Sequence, residues 1–320
     1  MPLLDLEKLC SGLEDGDWAG FLRDWDRSLR AGNYPETTRY IYLLAAAQLA
    51  RFLADDLSDR GAAEASGDPT LVTKGNIESF QVWMIETRSA ATALNKHKGL
   101  QQFFRYLVEE GEIGVSPMER VRQPKTPQKL VPIMGDGDTK KLLDSTRGKS
   151  FAALRDEAII RLYYNTGARL SEIGSLLLAD LDMKTESTRL HGKGAKDRRV
   201  RFGPKTLRAL ARYLRTRAKR KDANKVPELW IAERGVRRLA PNGIKAMLKR
   251  RGAAAGVPNV FAHRWRHNFA HEWHKAGGNT GDLMLLLGWS SDDMPRRYAA
   301  SAAAERAQEF QVQMGIGERV

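Results

Sequence analysis

Four separated stretches of the chain hold side chains of the kinds that break a phosphodiester bond. "NTGARLSEI" (165–173) sets Arg169 between a glycine turn and the start of a helix, and "HGKGAKDRR" (191–199) offers Lys193 and Lys196. "HRWRH" (263–267) contributes His263 and Arg266, and "LLGWSSDDMPRRYAA" (286–300) contributes Trp289 and Tyr298. Cleavage without a metal needs a nucleophile, cations around the non-bridging oxygens and an acid for the leaving oxygen. A tyrosine, two arginines with a histidine, and a lysine are one set that supplies all three. A phenol with a pKa of about 10 is a poor nucleophile at neutral pH, but neighbouring guanidinium groups favour its phenolate.

Taken singly, each of these residues has a plainer reading. An arginine beginning a helix is usually a solvated charge, a lysine between glycines a surface group, and a tyrosine on an amphipathic helix a surface ring. His263 and His267 lie four apart, a spacing that two metal ligands could share on one helix face. No third ligand follows them in an H-E-x-x-H pattern, although Glu272 is near. The single cysteine, Cys10, can form neither an intramolecular disulfide nor a zinc cluster. Neither a metal nor a cofactor is expected.

These residues must be positioned by elements that the rest of the sequence specifies. The 320 residues, 42% of them hydrophobic, suffice for two domains. "DWAGFLRDWDRSLRAGN" has apolar residues at helical spacing and stops at Gly32-Asn33. "PETTRYIYLLAAAQLARFLADDL" enters through Pro35. "NIESFQVWMIETR" and "SAATALNKHKGLQQFFRYLVEEG" follow, the latter with Ser89 as N-cap and Gly111 at its stop. The pattern predicts a four-helix unit over residues 1–128. Between Gly114 and Pro132 four prolines among basic residues, without a sustained period, read as a linker.

Residues 129–320 open with "DGDTKKLLDSTRG", an Asp/Thr-capped helix. In "SFAALRDEAIIRLYYNTG", Leu154, Ala158, Ile159, Leu162 and Tyr163 share a face, and Tyr163 and Tyr164 read as core. "DLDMKTESTRLHGKGAKDRRVRFG" loses the helical period and predicts two or three short strands with a tight basic turn. Helices are expected near 204–220, 240–254, 264–276, 280–287 and 291–312. The fold class is mainly α with a small β-sheet.

Charge divides between the two parts. Residues 1–128 hold 15 Lys+Arg against 19 Asp+Glu, a balance of −4, and residues 129–320 hold 38 against 20, or +18. The excess suggests a polyanionic partner. In the first part, Asn95, Lys96, Lys98 and Arg105 lie on one predicted helix and could meet a groove; "KTLRALARYLRTRAKRK" adds a basic cluster in the second. No apolar run reaches the roughly 18–20 residues that span a bilayer, and the acidic N-terminus does not read as a signal peptide. A cytoplasmic protein without a membrane partner is expected.

The order Arg in "TGARLSE", Lys in "GKG", His-x-x-Arg in "HRWRH", then "LLGW" followed by Tyr298 resembles the tyrosine recombinase (phage integrase) family over about residues 136–300. The helical first part and basic linker are similar to that family's SAM-like core-binding domain. The resemblance implies a catalytic domain at 129–320 that clamps DNA with the first domain and exchanges strands through a 3′-phosphotyrosine at Tyr298. It implies Arg169 and Arg266 on the scissile phosphate, Lys193 as the acid for the 5′-oxygen with Lys196 its competitor, and His263 on the phosphate or accepting the phenolic proton. Glu172 would orient Arg169 or a histidine, and His267 would be structural. The usual residue at 289 is histidine; Trp289 can donate one hydrogen bond but cannot shuttle a proton. Arg198 and Arg199 would meet backbone phosphates.

The implied partner is duplex DNA with inverted-repeat core sites, bound by a tetramer. No extra arm-site DNA-binding domain is recognisable. The tail after Tyr298 is Ala-rich and carries Phe310, Val312 and Met314, which could fold back on its own domain or dock on a neighbouring subunit. The rival readings are a type IB topoisomerase, which shares the chemistry, and a DNA-binding accessory protein with a dead site.

Overall fold

Residues 3–55, 60–127, 132–192, 197–289, 307–308 and 310–319 are described by a computed structural model, in two units, Met1–Gln128 and Lys129–Val320. Lys193, Lys196 and Tyr298 lie outside the described residues. In the first unit, α1 (Leu6–Cys10), α2 (Trp18–Ala31), α3 (Glu36–Asp55), α4 (Arg60–Gly67), α5 (Lys74–Thr87) and α6 (Ala90–Glu109) enclose one core. On α2 the buried residues Trp18, Leu22, Trp25 and Leu29 recur at helical spacing. Trp18 and Trp25 pack on Phe103 of α6, with ring centres 5.5 and 5.1 Å apart. Ser89 caps α6 by accepting from the Thr92 N–H at 3.1 Å.

Two helices exceed the four read from the pattern. α1 has five residues, and α4, "RGAAEASG", buries only small side chains, Ala62 and Ala65. Neither carries an apolar stripe long enough to register as a period. α4 is held by Trp18, whose Nε1 donates to the Ala65 carbonyl at 2.9 Å. The proline-rich stretch is also more than a connector, because Met118 and Val121 are buried in the first core.

The second unit contains α7 (Asp136–Asp144), α8 (Phe151–Thr166), α9 (Leu170–Ser175), β1 (Leu181–Asp182), β2 (Ser187–His191), β3 (Asp197–Arg201), α10 (Pro204–Ala218), α11 (Pro241–Ala254), α12 (Ala262–Lys275) and α13 (Thr280–Leu287). Helix is also assigned at 307–308 and 310–314. α8 lies at the centre and packs against α10 and α12. Its Ala158, Ile159, Leu162 and Tyr163 are buried as expected, whereas Tyr164, also read as core, is exposed and donates from Oη to Asp136 at 3.4 Å. The expected Asp/Thr cap of α7 is absent: Gly135 is the N-cap, and Asp136 and Asp138 sit in the first turn, where their charge complements the helix dipole.

The three strands form an antiparallel sheet in the order β1-β2-β3, with Thr188 opposite Val200 and Leu190 opposite Arg198. Side chains alternate across a strand, so Arg198 falls on the same inward face as buried Val200, while Asp197, Arg199 and Arg201 point out. No described helix is long and apolar enough to cross a membrane.

Candidate active site

The site is built where the C-terminal end of α8, the first turns of α9 and α12, and the end of α13 converge. α8 stops at Gly167, whose φ of +55° is left-handed and whose N–H closes the helix on the Tyr163 carbonyl at 2.9 Å. A Cβ there would stand 2.9 Å from the Phe269 Cβ and 3.0 Å from a Leu287 methyl, so glycine is required by both conformation and space. The turn makes Arg169 the N-cap of α9 and puts Glu172 at N3. Glu172 reaches back as a capping-box carboxylate: its Oε2 accepts from the Arg169 backbone N–H at 2.7 Å and its Oε1 from Arg169 Nη1 at 2.9 Å.

Three arginines from three elements then meet three consecutive carbonyls. Arg198 of β3 donates from Nε to Leu286 O at 2.6 Å; Arg266 of α12 donates from Nη2 to Leu287 O; Arg169 donates from Nη2 to Gly288 O at 3.2 Å. These carbonyls end α13, where acceptors lack helical partners and the dipole is negative, so cations are favoured. Arg266 also donates from Nη1 to Gly167 O at 3.2 Å, is 1% exposed, and lies with its guanidinium carbon 5.1 Å from the centre of the Trp289 ring. Arg169 keeps 37% of its side chain exposed. Beside it a cleft of about 630 Å³ runs between the base of the hairpin and the end of α13, lined by Arg169, Gly192, Arg199, Leu286, Gly288 and Trp289.

Glu172 is the anionic centre of this cluster. Burial alone would raise its carboxyl. The hydrogen bonds from Arg198 and Arg169 outweigh burial and bring it down from 4.5 to about 2, so it stays ionised. Its two oxygens each accept from Arg198 as well, Nη1 and Nη2 at 2.8 Å. Glu172 thus holds Arg169 by its backbone and its side chain, and its second partner is Arg198.

His263 is exposed in the first turn of α12, with its ring 4.8 Å from that of half-buried His267 and edge-on to it. Among the described residues no group of three or more His, Cys, Asp or Glu is placed to hold a metal ion. Trp289 is largely buried and packs with Leu283, Leu287 and Ala270. Arg199 is exposed beyond the sheet, near Ser187 and Asp182.

Two residues expected at DNA are engaged or buried within the protein. The Arg198 fork that would grip a phosphate is filled by Glu172, and strand alternation turns it inward. Lys96 is buried, and desolvation lowers its ammonium to about 8; it lies on the inner side of α6, while Asn95, Lys98 and Arg105 are exposed. Two features went unread in the sequence. His191, at the end of β2, stands between Asp180 and Asp197 at 3.0 Å each, and these hydrogen bonds raise its pKa. α11 exposes Lys245 and Lys249 along a cleft that ends at Phe261, two positions before His263.

Residues 134–305 match the family model described as phage integrase family, and residues 21–111 match that of the phage integrase N-terminal SAM-like domain. Tyrosine recombinase XerC of Ralstonia pickettii (strain 12J) is 32% identical over 221 residues, which are 64% of this chain and 66% of that relative. XerC of Myxococcus xanthus is 29% identical over 273 residues, 83% of this chain and 87% of that one. The alignment to the Ralstonia pickettii protein thus spans just under two thirds of its length. The fold is shared with the XerH site-specific recombinase bound to palindromic difH substrate in a post-cleavage complex, with a TM-score of 0.70 and 18% identity over 90% of this chain and 82% of that one. It is shared too with a lambda integrase dimer bound to a COC′ core site, with a TM-score of 0.65 and 17% identity over 87% of this chain and 94% of that one.

Proposed function

The chain belongs to the phage integrase family, and from that premise we propose that it is a site-specific recombinase that cleaves and rejoins duplex DNA through a 3′-phosphotyrosine intermediate. The observation that carries the reading is the meeting of Arg169 and Arg266 on adjacent carbonyls of the turn that leads through Trp289 toward Tyr298. Two guanidinium groups held on neighbouring carbonyls suit one phosphate, whose charge rises as phosphorus becomes pentacoordinate. Tyr298 attacks phosphorus, the bond to the 5′-oxygen breaks, and Lys193 gives that oxygen its proton. His263 donates to the phosphate or accepts the phenolic proton. Attack by an incoming 5′-hydroxyl reverses the step and releases the tyrosine, so the bond's energy is retained in the ester. The exposed Asn95, Lys98 and Arg105, with Lys196 and Arg199, contact the duplex outside the reacting phosphate.

The test is incubation of the full chain with nicked duplexes carrying sites selected by binding from a random pool. A protein-linked 3′ end on those sites, with no relaxation of a supercoiled plasmid that lacks them, is the expected result. Relaxation without a site would favour the topoisomerase reading, and binding without a covalent product the accessory one.

The lysine assignment has its own test. Lys193→Ala loses cleavage of ordinary DNA and regains it on a 5′-bridging phosphorothiolate, whose sulfur leaves without a proton. Lys196→Ala shows no such rescue; rescue of Lys196→Ala instead would move the acid to Lys196.

Assembly on DNA is proposed as a tetramer over inverted-repeat core sites, with the tail docked on a neighbouring subunit. Supporting this, Phe310, Val312 and Met314 are all exposed on their own chain. Deleting residues 305–320 leaves binding to a single half-site nearly intact but weakens cooperative pairing and strand exchange. Equal loss of half-site binding and of thermal stability would show that the tail belongs to its own domain.

A further inference from the structure

Arg198 keeps only 10% of its side chain exposed, and all three of its nitrogen groups are engaged on one side by the Glu172 carboxylate and on the other by the Leu286 carbonyl. Glu172 receives the backbone and Nη1 of Arg169, and Arg169 continues to Gly288 O. One unbroken set of contacts therefore joins β3, the start of α9 and the end of α13. β3 follows in sequence the stretch that holds Lys193, and α13 precedes the stretch that holds Tyr298. Gly288, with a left-handed φ of +60°, lets the helix end close over the guanidinium; a Cβ there would stand 3.4 Å from Arg198 Nη1.

Resting on the recombinase reading, we propose that Arg198 is a positioning residue of cleavage: it ties the hairpin of the general acid to the phosphate-binding arginine and to the helix end before the nucleophile, without touching DNA. Arginine suits this role because its planar fork meets both carboxylate oxygens while Nε turns to a third acceptor; a lysine ammonium cannot span that set. The groups facing Glu172 are Arg169 on its own helix, Arg198 from β3 and the Tyr163 phenol from α8. α11 meets α9 through Pro241 at Gly174. Without Arg198, the burial that opposes ionisation of Glu172 has only Arg169 against it, and the carboxyl moves up. Its negative charge, and with it the hold on Arg169, is then lost as pH falls.

The experiment measures single-turnover formation of the covalent complex on a selected, nicked duplex, with binding and its salt dependence measured on the same duplex. Arg198→Met is expected to slow cleavage about a hundredfold, the scale of a displaced catalytic group. Affinity stays within about threefold and the salt slope unchanged, since no phosphate contact is lost. The deficit deepens as pH falls, because Glu172 then takes up a proton. Arg198→Lys is intermediate in rate and flatter with pH. It carries the test if the methionine variant does not fold, the expected result being slower cleavage at unchanged affinity. Adding Glu172→Gln to Arg198→Met removes the acid-side deficit. A salt slope reduced by about one with a matching loss of affinity would make Arg198 a phosphate contact and overturn the proposal. So would unchanged cleavage, or an acid-side deficit that persists in the double variant. Absence of a covalent complex from the unsubstituted chain would instead refute the recombinase reading itself.

Discussion

Tyr298→Phe is expected to yield no protein-linked 3′ end on a nicked duplex while binding that duplex within about threefold of the parent, because only the nucleophilic oxygen is removed. The other tyrosines of the second unit leave little room for a substitute. Tyr163 is fully buried, and burial together with the Glu172 charge raises its phenol well above the ordinary value, so a phenolate there is strongly disfavoured. Tyr213 is raised by burial, and its hydroxyl donates to Leu229 O at 2.9 Å. Tyr164 is the exposed one at the end of α8, yet burial of part of its ring and the neighbouring Asp136 carboxylate raise it as well. A phenol becomes a nucleophile at neutral pH where cations lower its pKa; of these three only Tyr213 has such neighbours, Arg217 and Arg155, and its burial outweighs them. Detection of a covalent 3′ end with Tyr298→Phe would show that the nucleophile has been misassigned.

The helices were legible where their signals are local. Ser89 at the start of α6 and the apolar face of α8 need only neighbours in sequence to be read. The Arg169 turn was legible because Gly167 and Glu172 flank it within a few residues, one ending a helix and the other capping the next. Arg198 was not. In "KDRRVR" it stands among like charges, and a basic run beside a loop suggests phosphate contacts; what decides its fate is parity with Val200, since both fall on the inward face of β3. Its partners, Glu172 and Leu286, come from other elements and become visible only when the sheet is packed on α13. Lys96 shows the same limit on a helix: it follows Asn95 directly, but one residue turns the side chain about 100° around the axis, enough to move it from the solvent face to the core. α4 shows the reverse case, an element defined by what packs on it and not by its own pattern.

The two clamp arginines are expected to respond differently to the same substitution. Arg169→Ala and Arg266→Ala should each slow covalent capture by orders of magnitude, because each removes a cation from the charge that develops on the phosphate. Only Arg266→Ala should also weaken the fold. Arg266 is 1% exposed, and its donors satisfy Gly167 O and Leu287 O, at the buried ends of two helices. Leaving buried carbonyls without partners costs about 1–3 kcal/mol for each group lost, so chemical denaturation of the variant should show a loss of that order or more. Arg169 keeps 37% of its side chain exposed, and Glu172 retains the Arg198 fork when Arg169 is truncated; its loss should change stability by about 1 kcal/mol or less. Arg266→Lys tests the same distinction without removing charge. An ammonium is a point charge with one nitrogen and cannot reach both carbonyls, so this variant should remain slow and partly destabilised. Full stability of Arg266→Ala would mean that the two carbonyl contacts do not hold the helix ends together. Undiminished cleavage by Arg169→Ala would mean that the exposed guanidinium at the α9 turn is not the group that meets the phosphate.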